Sequence, residues 1–340
     1  MKTIKVFILL VSIWLFLAST GIQGETPPGA GKKNSYTFSI AALTGFLYGQ
    51  GEEIVYLNET SETYLSQLLW DMKPLFYTGT SLNVSQRNPL ERPGFFTDLS
   101  LKFGIPSYKT GIMEDRDWMN KLYHTEENND ALTHFSSHDN YTQGAFLLDL
   151  SAGLSLPIAG WFVLKGYADF SYMHFSWASQ NGFTQYASEG VSGGYEPWDD
   201  GIPKSTHYGP AINYQQEWII LTPGLALLIP FPYGLSLTLD VHVSPWIWCV
   251  ALDDHFLTEK QYSDHTSQGG LLFESQGRIG FAPHSRLELS LSLGYRSIQG
   301  LRGPTYTRNT GKTSGLVTQN GSGGTGYLVL DTGLSIKIRL

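Results

Sequence analysis

The sequence predicts an all-β protein, a ten-stranded antiparallel transmembrane β-barrel with long surface loops. Three observations lead to this fold class. Apolar residues recur at every second position over many segments, which is the period of a strand with one apolar face. After the N-terminal segment there is no run of about 18 or more apolar residues, so we expect no membrane-spanning helix. Long polar loops alternate with tight turns, an arrangement typical of outer-membrane barrels.

The first residues have the composition of a secretory signal peptide. Two lysines precede an apolar run over residues 6–18, and small residues follow that run. The run is too short for a membrane anchor and leads into a segment rich in proline and glycine. We therefore expect residues 1–24 to be a signal peptide and residues 25–340 to form an outer-membrane barrel whose long-loop end lies outside the cell.

Composition limits the partners that we expect. The net charge of the chain is −8, and it becomes more negative when a signal peptide with two lysines is removed. This charge argues against nucleic acid and favours cationic substrates. The single cysteine, Cys249, excludes an intramolecular disulfide framework, and we interpret it as a small apolar residue. No glycine-rich phosphate loop is present, and we expect no cofactor.

Apolar alternation divides the mature chain into ten strands. In the fourth strand every second residue from Phe146 to Leu156 is apolar, and in the ninth every second residue from Leu287 to Tyr295. Short turns join the strands at one end, and long loops, such as residues 120–142, join them at the other. The predicted strands cover residues 36–57, 64–86, 95–117, 144–156, 161–180, 217–229, 235–255, 270–281, 287–296 and 328–340.

The last strand can close the barrel. Its apolar residues stay in one phase up to Leu340, so it can pair with the first strand and leave no open edge. A soluble β-sandwich also alternates, but its strands are shorter and its turns are less one-sided. We therefore predict an integral protein of the cell outer membrane, with the membrane lipid as a partner.

The seventh strand changes the phase of its apolar residues at Pro245. Proline cannot donate a ladder hydrogen bond, and a bulge of one residue reverses the face of every later side chain. Without a reversal, Asp253 and His255 would lie on the lipid-facing side, where charge is unfavourable. We therefore expect both to point into the barrel, on one face because they are two residues apart.

The third strand repeats this pattern at Pro106, so Asp115 and Asp117 turn inward as well. Two polar pairs that face each other across a lumen can hold a water molecule. The imidazole can take its proton, Asp253 can fix the tautomer, and the close carboxylates can share a proton. These four residues are candidates for catalysis, although inward polar residues also occur in barrels for structural reasons alone.

A metal site is the weaker interpretation of a nearby group of histidines. His134 and His138 are four residues apart, with His124 close in sequence, but the surrounding loop is polar and has no pattern of metal ligands. The strained turn that presents a nucleophilic serine is absent as well. We therefore expect no metal and no serine nucleophile.

Residues 113–119 resemble the Asp-x-Asp-Trp-Met segment of the omptin family of outer-membrane proteases. Asp253 and His255 match the Asp-x-His pair of that family. Residues 53–57 and 66–70 look like its first hairpin, and the resemblance covers the mature chain. The family has ten strands and five surface loops.

The resemblance implies an aspartic endopeptidase, a hydrolase that acts at the cell surface. His255 and Asp253 would activate a water molecule, which Asp115 and Asp117 would polarise. It also implies cationic peptide or protein substrates that are cut near basic residues. Glu53 falls where the family has one acidic residue of the pocket for the basic side chain.

The sequence departs from the family at two points. Ala251 stands where the family has the other acid of the pocket, which implies a weaker preference for arginine. Residues 169–175 contain no arginine or lysine, so the family's lipopolysaccharide-binding basic cluster is not evident there. Two functions stay open, a surface protease and a non-catalytic barrel of the same descent that acts as an adhesin or structural protein. Retention of all four candidate catalytic residues favours the protease.

Overall fold

The computed structural model describes residues 36–340, except for residues 59, 87–88, 107, 123–129, 191–192 and 311–316. The expected signal peptide, residues 1–24, lies outside the described residues, and so does His124. In the part of the chain that is described, no helix is long and apolar enough to cross a membrane.

The described residues form thirteen β-strands and two short 3₁₀ helices. The strands are β1 (Tyr36–Tyr56), β2 (Tyr64–Gln86), β3 (Gly94–Gly104), β4 (Tyr108–Asp117), β5 (His134–Ala159), β6 (Phe162–Tyr186), β7 (Ser205–Pro230), β8 (Leu235–Ser244), β9 (Ile247–His255), β10 (Lys260–Thr266), β11 (Leu271–His284), β12 (Leu287–Asn309) and β13 (Val317–Arg339). The 3₁₀ helices cover Met119–Leu122 and Pro232–Gly234.

These strands pair into one closed antiparallel ring. β3 and β4, β8 and β9, and β10 and β11 are the halves of three long strands, so the ring has ten strands. β1 pairs with both β2 and β13, which closes the ring and leaves no edge. The prediction of a ten-stranded antiparallel transmembrane β-barrel is confirmed.

Several strands extend further toward the long loops than their apolar pattern predicts. β5 begins at His134, so the later part of residues 120–142 is strand and not loop, which corrects the prediction. β7 begins at Ser205, well before the predicted start at residue 217. Both extensions lie beyond the apolar surface, where the outward face meets water. Backbone pairing continues there, although the apolar alternation that lipid requires has stopped.

An apolar belt surrounds the barrel on its outward face. Leu291, Leu293, Leu334 and Ile336 are all exposed there. Large exposed patches of this kind are rare on soluble proteins but match the hydrocarbon of a bilayer. Toward the long loops the belt ends at outward charges. Lys109 of β4 pairs with Asp139 of β5 (Nζ–Oδ1 2.6 Å), and Glu217 of β7 lies opposite the outward-facing Val250 of β9.

Pro245 lies where the apolar phase changes, between β8 and β9. Before this break Val243 faces outward and is 47% exposed, whereas after it Trp248 faces outward and is 43% exposed. The break therefore moves the outward face from odd-numbered to even-numbered residues. Ser244 bridges it, because its Oγ accepts a hydrogen bond from the Trp246 amide (3.0 Å) and donates one to the Leu221 carbonyl (2.5 Å). Pro106 occupies the corresponding break between β3 and β4.

The lumen inside the belt is filled by paired charges. Arg296 donates from Nε to Glu274 (2.8 Å) and from Nη2 to Asp149 (3.3 Å). Lys102 donates to Asp331 (2.5 Å). Each cation lies between side chains of different strands, so the network ties the ring together across its interior.

Arg296 should therefore contribute strongly to stability. Arg296→Met removes the cation and leaves Glu274 and Asp149 facing each other, which we expect to lower the free energy of unfolding by about 3–5 kcal/mol. The measurement is urea unfolding of the protein in lipid vesicles. Lys109→Met is the control, because it breaks a solvent-exposed ion pair and should cost about 1 kcal/mol or less. Equal losses in the two variants would contradict the structural role of Arg296.

Candidate active site

The four predicted catalytic residues meet at the long-loop end of the barrel. Asp115 and Asp117 end β4, which lies between β2 and β5, and Asp253 and His255 end β9, between β7 and β10. The two strands approach from different sides of the ring, and both carboxylates on β4 interact electrostatically with the imidazole on β9. All four residues lie beyond the outward charges that end the apolar belt. The phase reversals at the two strand breaks thus bring the predicted pairs together.

His255 and Asp253 form a hydrogen-bonded dyad. His255 Nε2 bonds to Asp253 Oδ2, which leaves Nδ1 of the ring for another partner. Asp253 is only 2% exposed, and its Oδ1 has no hydrogen-bond partner among the described residues. The ring of Tyr262 packs edge-on against the imidazole, with centroids 5.3 Å apart. The dyad is therefore held in one orientation on a rigid strand.

The surroundings favour a charged imidazole. Burial disfavours the imidazolium, but the carboxylate of Asp253, followed by those of Asp115 and Asp117, outweighs this effect and raises the pKa of His255. An imidazole with a raised pKa is a stronger base once it is neutral, and it binds an accepted proton more tightly.

Asp115 and Asp117 form a couple in which a proton can be shared. Burial, with a further contribution from Asp117, raises the pKa of Asp115 well above its usual range. Ser66 Oγ donates a hydrogen bond to Asp115 Oδ1 (3.2 Å) and so fixes one end of the couple. A raised pKa keeps the proton on a carboxyl group to a higher pH, and the protonated group can donate a hydrogen bond to a developing negative charge.

Glu53 lies at the same level as the couple. In register, Glu53 of β1 pairs with Leu68 of β2, and Leu68 pairs with Asp115. Glu53 is 3% exposed, and its Oε2 has no hydrogen-bond partner among the described residues. Burial, together with Asp253 and other nearby carboxylates, raises the pKa of Glu53 well above its usual range. A buried carboxylate without a cation is a site at which a cationic group gains free energy.

The structure adds an acidic residue that the sequence did not indicate. Ala251 is buried on β9, and directly opposite it on β10 lies Asp264. Asp264 is 3% exposed and interacts electrostatically with both Glu53 and Asp253. The sequence signal was weak, because β10 lies beyond the apolar belt and has no lipid-facing alternation. Only the register of β9 against β10 places Asp264 in the site.

An aromatic layer forms the floor of the site. The rings of Trp70, Trp177 and Tyr214 stack, with centroids 5.1 to 6.2 Å apart, and all three side chains are fully buried. Gln216 Nε2 donates to Tyr214 Oη (3.0 Å) and to the Glu52 carbonyl (3.0 Å), which fixes the layer to β1. The layer separates the acidic cluster from the charge network of the lumen.

Two of the histidines considered for a metal site, His134 and His138, are used in packing. His138 Nδ1 bonds to the Asn181 carbonyl (2.6 Å), and the ring of His134 packs against Tyr186 and Tyr195. Within the described ranges, no group of three or more His, Cys, Asp or Glu side chains is arranged to hold a metal ion.

Together, the fold and the site define an outer-membrane β-barrel with a buried cluster of carboxylates around the imidazole of His255 at the long-loop end. The model of the omptin family matches residues 34–339. The chain belongs to the omptin family of outer-membrane proteases.

The similarity of this chain to individual proteins is consistent with its membership of the family. The plasminogen activator of Yersinia pestis is 26% identical over 239 residues, which cover 68% of this chain and 67% of the relative. The crystal structure of the outer membrane protease OmpT from Escherichia coli is similar in fold, with a TM-score of 0.77 and 18% identity. That alignment covers 91% of this chain and 99% of the OmpT chain.

The electrostatics of the dyad can be tested without an activity assay. Asp253→Asn should lower the pKa of His255, because the carboxylate that favours the imidazolium is lost while the burial remains. The measurement is NMR titration of histidine-labelled protein, with the signal assigned by its loss in His255→Ala. Asp254→Asn is the control, since Asp254 bonds to Gln261 and not to the imidazole. An unchanged pKa in Asp253→Asn would refute the arrangement.

Proposed function

We propose that this outer-membrane protease is an endopeptidase of the aspartic type, in which the dyad and the carboxylate couple activate water. The observation that supports this most directly is that the imidazole of His255 is oriented by Asp253 and interacts electrostatically with Asp115 and Asp117. A structural role does not require four ionisable groups of this kind in one buried cluster, because buried charges without full compensation are unfavourable.

The geometry supports a mechanism without a covalent intermediate. A water molecule between the two pairs gives a proton to Nδ1 of His255 as its oxygen attacks the peptide carbonyl carbon. Asp253 stabilises the resulting imidazolium, and the proton shared by Asp115 and Asp117 forms a hydrogen bond to the oxyanion. When the C–N bond breaks, the imidazolium gives its proton to the leaving amine. The enzyme returns to its starting protonation state.

We infer a preference for cationic peptide or protein substrates. Glu53 is buried, has an unpartnered oxygen and lies at the level of the couple, so a basic side chain can reach it while a neighbouring peptide bond lies over the water. The acidic net charge of the chain acts in the same direction by attracting cationic peptides. We infer as well that residues 1–24 are an export signal, that the belt contacts outer-membrane lipid, and that the long-loop end faces the outside of the cell, as the long loops of outer-membrane barrels do.

The alternative is a non-catalytic barrel that serves as an adhesin or structural protein. Such a barrel needs the belt and the loops but not the acid–imidazole cluster. Peptide hydrolysis by purified protein separates the two functions directly.

Replacement of His255 should abolish hydrolysis. Protein refolded in detergent is expected to cut a mixed peptide library, and His255→Ala should reduce kcat/KM by about 10²- to 10⁴-fold, because the general base is lost. His265→Ala is the control, since its exposed ring packs on Tyr306 away from the cluster. Activity of His255→Ala within twofold of the parent protein would exclude the proposed role.

The pH profile should reflect the raised pKa of His255. The imidazole must be neutral to accept the proton, so activity is lost as the pH falls through the pKa of this residue. Because that pKa is raised, kcat/KM should decline at a pH above the ordinary histidine value of about 6.5. Steady-state kinetics between about pH 5 and pH 9 measure this acidic decline of kcat/KM. An acidic limb below the ordinary value would show that another group acts as the base.

A further inference from the structure

Asp264 lies directly across the strand pair from Ala251, so its carboxylate reaches the region that a carboxylate at residue 251 would reach. In an antiparallel pair, residues directly opposite each other project to the same face, with Cβ atoms about 4.5–5.5 Å apart. Asp264 of β10 is opposite Ala251 of β9, and both side chains are buried inside the barrel. The acid absent from β9 is thus present on the neighbouring strand.

The contacts of Asp264 leave its charge uncompensated. Its Oδ1 accepts a hydrogen bond from Thr305 Oγ1 (2.5 Å), and no lysine or arginine among the described residues forms an ion pair with it. Burial raises the pKa of Asp264 to about 7. A carboxyl group of this kind ionises readily when a cation binds beside it.

A glycine on a nearby strand gives the Asp264 carboxylate its space. Gly323 of β13 faces it, and a Cβ at this position would lie 2.5 Å from Asp264 Oδ1 and 2.7 Å from Thr305 Oγ1. Any side chain at residue 323 would therefore push the carboxylate out of its present position. The small side chain of Ala251 leaves space on the other side. Asp264 is thus bordered by the two smallest kinds of residue.

Glu53 faces the same space from β1. Its unpartnered Oε2 is buried, and its charge interacts with those of Asp253 and Asp264. The three carboxylates belong to three different strands, so each reaches the space from a different direction. Mutual repulsion of these groups is relieved when a cation lies between them.

We propose that Asp264 is the second carboxylate of the substrate pocket and, together with Glu53, binds the guanidinium group of an arginine side chain. This assignment rests on the proposed function, because the pocket opens beside the proposed catalytic dyad. A planar guanidinium offers five N–H donors and can bond to two carboxylates at once, whereas an ammonium is a point charge. The presence of Ala251 then does not weaken the preference for arginine.

Binding of labelled peptides tests the assignment independently of hydrolysis. The probes are two matched peptides that carry either arginine or glutamine before the scissile bond, and their dissociation constants are measured by fluorescence anisotropy in the His255→Ala background. Asp264→Asn should weaken binding of the arginine peptide by about tenfold or more and leave the glutamine peptide unchanged. Asp254→Asn is the matched control, because it removes the same charge from the outward side of β9.

Two further variants keep the test decisive if Asp264→Asn folds poorly. Gly323→Ala keeps the charge of Asp264 but displaces its carboxylate, because the added Cβ would lie 2.5 Å from Oδ1, so selectivity for the arginine peptide should fall in the same way. Ala251→Asp combined with Asp264→Asn moves the carboxylate back across the strand pair, and selectivity should return. Folding of each variant is verified by its circular dichroism.

The outcomes separate the two proposals. Undiminished selectivity in both Asp264→Asn and Gly323→Ala overturns the role of Asp264, even if the parent protein cuts the arginine peptide. Selective binding that depends on Asp264, in a protein that with His255 intact cuts neither peptide, supports the pocket and overturns the proposed function. Equal affinity of the parent pocket for both peptides overturns the pocket assignment.

Discussion

Complete pairing of the backbone is the constraint on which this structure depends. Within a bilayer every N–H and C=O of the barrel wall must form a hydrogen bond within the ring. A strand can therefore change which of its side chains face the lumen only at a local break in register. The breaks at Pro106 and Pro245 use this freedom. They keep both strands in the ring while reversing their faces, and they place a carboxylate couple and a dyad inside a barrel whose outer surface stays apolar.

The surroundings of the carboxylates differ between the lower half of the interior, inside the belt, and the upper half, above the aromatic layer. Inside the belt, Lys102 and Arg296 lie between the carboxylates and compensate them. Above the aromatic layer several carboxylates surround the imidazole of His255, and burial raises the pKa of several of them. The lower half is therefore suited to rigidity. The upper half is suited to proton transfer and to binding of cations.

The sequence predicts the fold and the four proposed catalytic residues because lipid imposes a strict alternation. A residue that breaks this alternation, such as Pro245, is visible without a structure, and so is the change of face of the residues after it. Beyond the belt, lipid no longer imposes this alternation. The early parts of β5 and β7 were missed for this reason, and Asp264 was missed because its position depends on cross-strand register, which no local pattern on β10 reveals.

The stacked rings of Trp70, Trp177 and Tyr214 have a consequence for the interior as a whole. A ring of strands through a bilayer is in principle a conduit, and porins conduct ions through such lumens. Here a layer of stacked, buried rings lies above a lumen that contains ion pairs. Packed rings and ion pairs thus occupy the interior of this barrel, which distinguishes it from the open lumen of a porin.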